Sequence, residues 1–287
     1  MLALVVTATD VMAEKPVTVY AVNYPLKYFC ERIGGDQVEV FLPVPKDIDP
    51  AYWNPGIDDI LAYQQADLIL LNGAGYAQWT EKVSLPRAIL VNTSKKFADQ
   101  YIRIKGAVTH SHGAEGEHTH ENVAFTTWLD FRLAAWQAEA IYQALCRARP
   151  DAKVKFDRNF SGLQRNLVGL DQKLKEIVAQ REDQPLIVSH PVYDYFARRY
   201  GLNIRSVHWE PDEMPDETQW RDLQAMRQDH GAQWMVWEGA PLPETASRLA
   251  GMGIGVVVFS PGGNVPSKGD FVELMQVNIA NLAKAFE

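Results

Sequence analysis

Cysteine is scarce in this chain: 2 in 287 residues, Cys30 and Cys146. They lie far apart, outside any Cys-x-x-Cys arrangement, in amphipathic helical patterns. They read as buried free thiols, although a disulfide stays open at this level. Positive charge is in deficit, with a net charge of -8. This argues against nucleic acid as a partner, since phosphate binding needs a basic face. Long apolar runs are missing too: beyond the N-terminus none reaches the ~20 residues a membrane helix needs. There is no Gly-x-Ser-x-Gly elbow and no His-Glu-x-x-His, which weighs against a hydrolase, metal-dependent or otherwise. The Gly262-Gly263-Asn264 run lacks phosphate-loop spacing and reads as a flexible turn. No repeat of 20–50 residues suggests a solenoid.

Histidine, by contrast, is concentrated. Four of the seven, His110, His112, His118 and His120, fall in Thr-His-Ser-His-Gly-Ala-Glu-Gly-Glu-His-Thr-His. Imidazole suits zinc, copper, nickel and iron, and the Gly, Ser, Thr and Glu between can build no core. The tract over 108–121 reads as metal-binding, against the blander reading of a solvated loop. It does not separate enzyme, sensor and carrier. The composition, 47% hydrophobic and 22% charged, is globular, and the length suits two domains. The opening Met-Leu-Ala-Leu-Val-Val-Thr-Ala is apolar, and Val11-Met12-Ala13 is a small-x-Ala cleavage pattern. With no basic n-region, residues 1–15 read as the remnant of a secretory signal peptide.

Short apolar, β-branched runs recur at Val17–Val22, Val38–Leu42, Asp67–Leu71 and Ala88–Val91. After a gap come Pro185–Val188, Ile204–Val207, Trp234–Trp237 and Val256–Phe259. Most alternate with helical patterns, which implies parallel strands covered on both faces. In the gap, Phe156, Phe160, Leu163, Leu167, Leu170, Leu174 and Ile177 follow a +4, +3 rhythm, one apolar stripe on one helix. A helix over 152–181 predicts a rigid spine of roughly 45 Å that would limit hinge closure. A second helix, 130–147, precedes it. The expected fold is α/β, two lobes each with a four-stranded, mainly parallel sheet flanked by helices, joined by the spine. The expected division is an N-terminal lobe over 16–150, a linking helix over 151–181 and a C-terminal lobe over 182–287.

Local matches then run in order along the chain: Asp49-Pro50-Ala51-Tyr52-Trp53-Asn54-Pro55, Ala66 to Trp79, Trp128-Leu129-Asp130, Ser189 to Phe196 with Arg199-Tyr200-Gly201-Leu202, and Gly269-Asp270-Phe271 with Met275 and Asn278. In these segments the chain resembles the zinc- and manganese-type solute-binding proteins of bacterial ABC importers (ZnuA/TroA-like). The histidine tract stands where zinc members of that family carry theirs. The resemblance implies capture of a divalent metal, zinc before manganese, in the periplasm. It also implies delivery to an ABC permease at the inner membrane, by a monomer without chemical turnover.

The resemblance also implies a cleft metal held by three histidines and a carboxylate, and here this chain departs. The first position reads Ala51, the second Thr126 and the carboxylate position Ser260; only His190 is retained. One imidazole cannot close a tetrahedral zinc site. Three outcomes stay open. The loop histidines could replace the lost ligands with His190 as anchor. The cleft could take a small organic or chelated ligand, lined by Tyr52, Trp53 and Trp128 with Ser, Thr and Asn contacts. Or the scaffold could persist without transport binding or any metal.

His190 follows the Leu186–Val188 run and is read as opening a helix, at a strand end where α/β sheets bind ligands. Ser189 beside it is a poor nucleophile–base partner. Asp194, four residues on, shares a face with His190 if the helix is regular, and could orient its imidazole, though a solvated Asp is the simpler reading. His208, Glu210 and Asp212, after the next strand, are substitute ligands or surface residues, and Glu238 has similar status. His230 is explained by a helix C-terminus. The expected metal residues are His190, His110, His112, His118 and His120. The expected cleft lining is Ala51, Trp53, Thr126, Trp128, His208 and Ser260.

Overall fold

A computed structural model describes residues 15–104 and 123–287. The histidines of the 108–121 tract and the signal-peptide reading of 1–15 therefore lie, but for Lys15, outside the described residues. Four parallel strands, β1 (Val17–Ala21), β2 (Val38–Phe41), β3 (Leu68–Leu71) and β4 (Leu90–Asn92), form a sheet in the order β2-β1-β3-β4. Four more, β5 (Pro185–Val188), β6 (Asn203–Ser206), β7 (Trp234–Trp237) and β8 (Gly255–Val258), repeat the pattern as β6-β5-β7-β8. The expected α/β class with two parallel sheets is what the chain adopts. The sequence of each strand follows its place. Inner β3 and β5 read Leu-Ile-Leu-Leu and Pro-Leu-Ile-Val and are covered on both faces, whereas edge strand β2, Val-Glu-Val-Phe, alternates half-buried with exposed.

Helices α1 (Tyr24–Gly34), α2 (Ile57–Gln64), α3 (Trp79–Lys82) and α4 (Phe131–Ala148) accompany the first sheet. Helices α6 (Asp194–Tyr200), α7 (Glu217–His230), α8 (Pro243–Gly251) and α9 (Phe271–Ala283) accompany the second, with α5 (Lys153–Val178) between the halves. Their starts are written in polar caps. Asn23 accepts from the Leu26 amide, Asp130 from the amides of Arg132 and Leu133, and Asp216 with Gln219 and Asp270 with Glu273 form capping boxes. α7 ends in Gly231 at φ 75°, a left-handed cap.

The spine exists as expected. α5 runs 26 residues, ~39 Å at 1.5 Å per residue. Phe156, Leu163, Leu167, Leu170, Leu174 and Ile177 of its stripe are buried. They pack on α1 and α4 from one half and on α6 and α9 from the other. One continuous apolar core therefore includes Val19 and Leu70 beside the first sheet and Leu186, Val236 and Phe259 beside the second. Phe29 of α1 meets Phe271 of α9 edge-on at 5.3 Å, carrying that core across the junction.

Polar contacts tie the same junction. The Arg199 guanidinium forks onto Asp171 of the spine at 2.7 and 2.8 Å and lies 3.5 Å from the fully buried Asp130 carboxylate at the head of α4. This holds the Asp171 carboxyl below its ordinary range, against the opposing effect of burial. Cys30 is buried, as expected, and desolvation pushes its thiol up; Cys146 is only half-buried, so that reading is corrected. Both thiols are free. No helix among the described residues is long and apolar enough to cross a membrane.

Candidate functional site

In parallel α/β sheets the ends of the strands, not their sides, are open to ligands. Here the C-terminal ends of β5, β6 and β7 deliver His190, His208 with Glu210, and Glu238. The backbone under them is fixed: the Ser189 amide donates to Val236 O at 2.8 Å, and the Trp209 amide to Ser189 O at 2.8 Å. Trp209 is buried against Trp220 and Trp237, so this loop is anchored by its aromatic residue while His208 and Glu210 on either side face outward. His190 Nε2 lies 3.6 Å from Glu210 Oε1, and the His190 and His208 rings stand 5.8 Å apart between centroids.

The first half contributes the segment around Asp49–Trp53. It is pinned across the junction by Asn264, whose Nδ2 donates to Pro45 O and Ile48 O at 2.7 and 2.9 Å. That bond corrects the expectation of a flexible turn at Gly262–Asn264, as does the Tyr24 amide donating to Gly263 O at 2.8 Å. Charges from both halves act on one another here. Burial raises the Glu238 carboxyl to about 7, with Glu210 and Asp49 adding to the effect. The Tyr52 ring is about half exposed, and partial desolvation, then Asp49, Glu238 and Glu210 in turn, raises its phenol to about 12. Three carboxylates from the two halves thus act on one another, with His190 beside Glu210 and His208 beside His190, a field that favours a cation.

The four positions that the resemblance assigns to the metal look different. Ala51 is buried and carries only a methyl group. Thr126 is buried, and its hydroxyl donates to Val192 O at 2.5 Å. The Ser260 backbone is clamped by Asn278, accepting from its Nδ2 at 2.7 Å and donating to its Oδ1 at 3.0 Å. Trp128 is buried and its indole donates to Pro261 O at 2.8 Å, joining the two halves. Trp53 is buried edge-on against Trp79 in the first half. Of that group only His190 keeps a metal-ligating side chain, and it is partly accessible. Among the described residues, no three His, Cys, Asp or Glu side chains are gathered into a closed metal-binding group.

Helix α6 begins only at Asp194, so His190 precedes it rather than opening it, and the shared helical face expected for the two does not exist. Asp194 is half-buried, desolvation raises its carboxyl, and its Oδ2 has no hydrogen-bond partner among the described residues. His230 lies away from the crevice, its Nε2 3.2 Å from both Leu186 O and Asn203 O. Tyr76 was not singled out in the sequence. It packs against Phe125 and Trp128, with ring centroids at 5.3 and 5.6 Å, and its buried hydroxyl has no partner among the described residues. Its signal was position alone: it follows β3 by five residues, as His190 follows β5 by two.

The model of one family matches residues 19–285, described as zinc-uptake complex component A, periplasmic. The chain belongs to that family. The ZnuA high-affinity zinc uptake protein of Bacillus subtilis is 26% identical over 241 residues, covering 79% of this chain and 72% of that protein. The zinc-binding protein AdcA of Streptococcus pyogenes is 24% identical over 294 residues; the match covers 96% of this chain but only 57% of AdcA. A putative metal-binding protein of Chlamydia muridarum is 30% identical over 196 residues, 67% of this chain and 64% of that one. Two solved structures share the fold. The metal-dependent lipoprotein YcdH of B. subtilis superposes with a TM-score of 0.81 at 21% identity, covering 94% and 98% of the two chains. The Zn(II)-bound ZnuA-like domain of AdcA from Streptococcus pneumoniae gives 0.81 at 18%, covering 95% and 99%. Family and fold are those of solute-binding proteins rather than of enzymes.

Proposed function

We propose that this protein captures a divalent metal ion, zinc before manganese, outside the cytoplasm, and hands it to the permease of an ABC importer at the inner membrane. It works as a periplasmic monomer, and the metal is cargo. The lobes are those read from the sequence, 16–150 and 182–287, joined through 151–181. The observation that carries the reading is His190 at the end of β5, partly accessible in a crevice whose nearby charges are carboxylates of both halves. Family membership supports it, as do the relatives, a zinc uptake protein and a zinc-binding protein. His110, His112, His118 and His120 gather metal alongside His190, a role that rests on their chemistry. Release follows from small lobe motions, because the spine and the Trp128–Pro261 and Asn264–Pro45 bonds restrict large ones. Calorimetry of zinc into the protein, with and without residues 108–121, tests the proposal. Stoichiometric binding supports it, and absence of heat at micromolar protein refutes it.

A second reading has an observation of its own. Ala51, Thr126 and Ser260 offer no strong metal donor, while Tyr52, Phe125, Tyr76 and Trp128 form an aromatic floor. A small organic or chelated cation would suit that floor and the carboxylates above it. It is favoured over free zinc if chelated metal binds and the aquated ion does not.

A further inference from the structure

We infer that the groove between α4 and the spine holds a small organic acid, one carboxylate on an aromatic or branched apolar body, at a site separate from the crevice. The inference goes beyond the metal-capture reading and does not depend on it.

The groove is a cavity of about 360 Å³, within the size range of small-molecule sites. One side is α4, through Arg132, Ala135, Trp136 and Glu139; the other is α5, through Gln164, Val168 and Asp171. Each set is spaced by three or four residues and so shares a helical face. Lys96, in the Lys95–Gln100 turn, and Arg199 of α6 also line it. Val168 lies off the buried stripe of the spine and is 59% exposed. With Ala135 and the half-buried Trp136 ring it gives the cavity an apolar side in contact with water.

The charges favour an anion. Lys96 pairs with Glu139 at 2.7 Å. Arg199 forks onto Asp171, which Lys175 also reaches at 2.7 Å. Arg132 and Arg199 each stand 3.5 Å from the buried Asp130. Four cations thus meet three carboxylates, a local positive excess in a chain of net charge -8. Arg132 is the cation met least closely. Among the described residues its guanidinium reaches Asp130 Oδ2 and Gln100 Oε1 only at 3.5 Å, whereas charge-assisted N–H···O bonds span about 2.7–2.9 Å. Trp136 holds it at the cavity: Arg132 Cζ and Lys96 Nζ each lie 5.2 Å from the indole centre. A carboxylate accepting the Arg132 fork takes up the excess charge, and its apolar body covers Val168 and Ala135. An inorganic anion would leave that apolar side wet, and an amine would add to the excess.

The test titrates the whole chain by calorimetry with phenylacetate as probe, beside its neutral isostere phenylacetamide and the shorter propionate. One phenylacetate should bind per chain, at least ~10-fold more tightly than phenylacetamide, the factor that losing a charge-assisted hydrogen bond carries. Propionate should bind more weakly than phenylacetate, because it covers less of the apolar side. Arg132→Gln should weaken phenylacetate by ~10-fold or more. Val168→Asp, at an exposed position, should weaken it through charge repulsion and lost apolar contact. Melting temperatures report folding, and should Arg132→Gln melt early, Val168→Asp decides alone. No saturable phenylacetate binding by the wild type, equal affinity for phenylacetate and either control, or unchanged affinity in the folded variants would overturn the inference. Zinc titrations of the wild type test the metal-capture reading separately, and neither result bears on the other.

Discussion

Glu238 sits folded with its carboxyl displaced from 4.5 to about 7, chiefly by burial and then by Glu210 and Asp49. The folded state therefore binds this proton more tightly than the unfolded chain does. Below pH ~4.5 both states are protonated and the residue adds no pH dependence. As pH rises from ~4.5 to ~7 the unfolded chain ionises freely while the folded one resists, so stability is lost across that window and levels off above it. At ~1.4 kcal/mol per pH unit the full displacement is worth roughly 3 kcal/mol. Water reaching a half-buried carboxyl trims this to roughly 2–3 kcal/mol. Glu238→Gln mimics the protonated group. In urea denaturation with chelator present, variant and wild type should match near pH 4.5, and the variant should be the more stable by roughly 2–3 kcal/mol at pH 8. Glu210→Gln should shrink that gain, because it removes the neighbour's charge. Stability curves for wild type and Glu238→Gln that run parallel from pH 4.5 to 8 would refute the reasoning, and with it the claim that these carboxylates share one crevice.

Other outcomes follow from single contacts. Arg199→Leu removes the fork on Asp171 and the cation beside buried Asp130, but Lys175 and Tyr200 still contact Asp171 and two backbone amides and Arg132 still serve Asp130, so it should destabilise by about 1.5–3 kcal/mol in urea melts. Gly73→Ala would set a methyl 2.0 Å from Ser94 Oγ at φ 75° and should largely abolish folding, whereas Gly201→Ala, at φ 67° with nothing within 4 Å, should lower stability by only about 1 kcal/mol. Trp128→Phe removes the indole bond to Pro261 and should cost about 1–3 kcal/mol, read as faster amide exchange on both sides of the junction. Native protein should react with iodoacetamide at Cys146 first, since burial raises the Cys30 thiol.

Much of this fold was legible because local and tertiary demands agree. Pro185–Val188 and Trp234–Trp237 were read to the residue, their apolar composition having only one covered environment to satisfy. The α5 stripe was equally plain, since one helix serves both halves with one face. The loop geometry was legible only in part. Pro191 disfavours a helical His190, a local signal that the reading of a regular helix through His190 and Asp194 leaves out. The site was half legible. His190 and its neighbours His208, Glu210 and Glu238 follow strand ends, a rule sequence can apply. That Glu210 approaches His190, and that Asp49 and Tyr52 from the other half face Glu238, depends on how two sheets sit together, which no local pattern encodes.

The most direct measurement on the claim that His190 anchors a captured metal is zinc X-ray absorption on protein loaded with one equivalent, wild type beside His190→Ala. The account predicts nitrogen and oxygen neighbours of the zinc at about 2.0–2.1 Å with outer scattering from imidazole, and loss of that signature and of stoichiometric retention in the variant. An identical zinc environment in His190→Ala would contradict it.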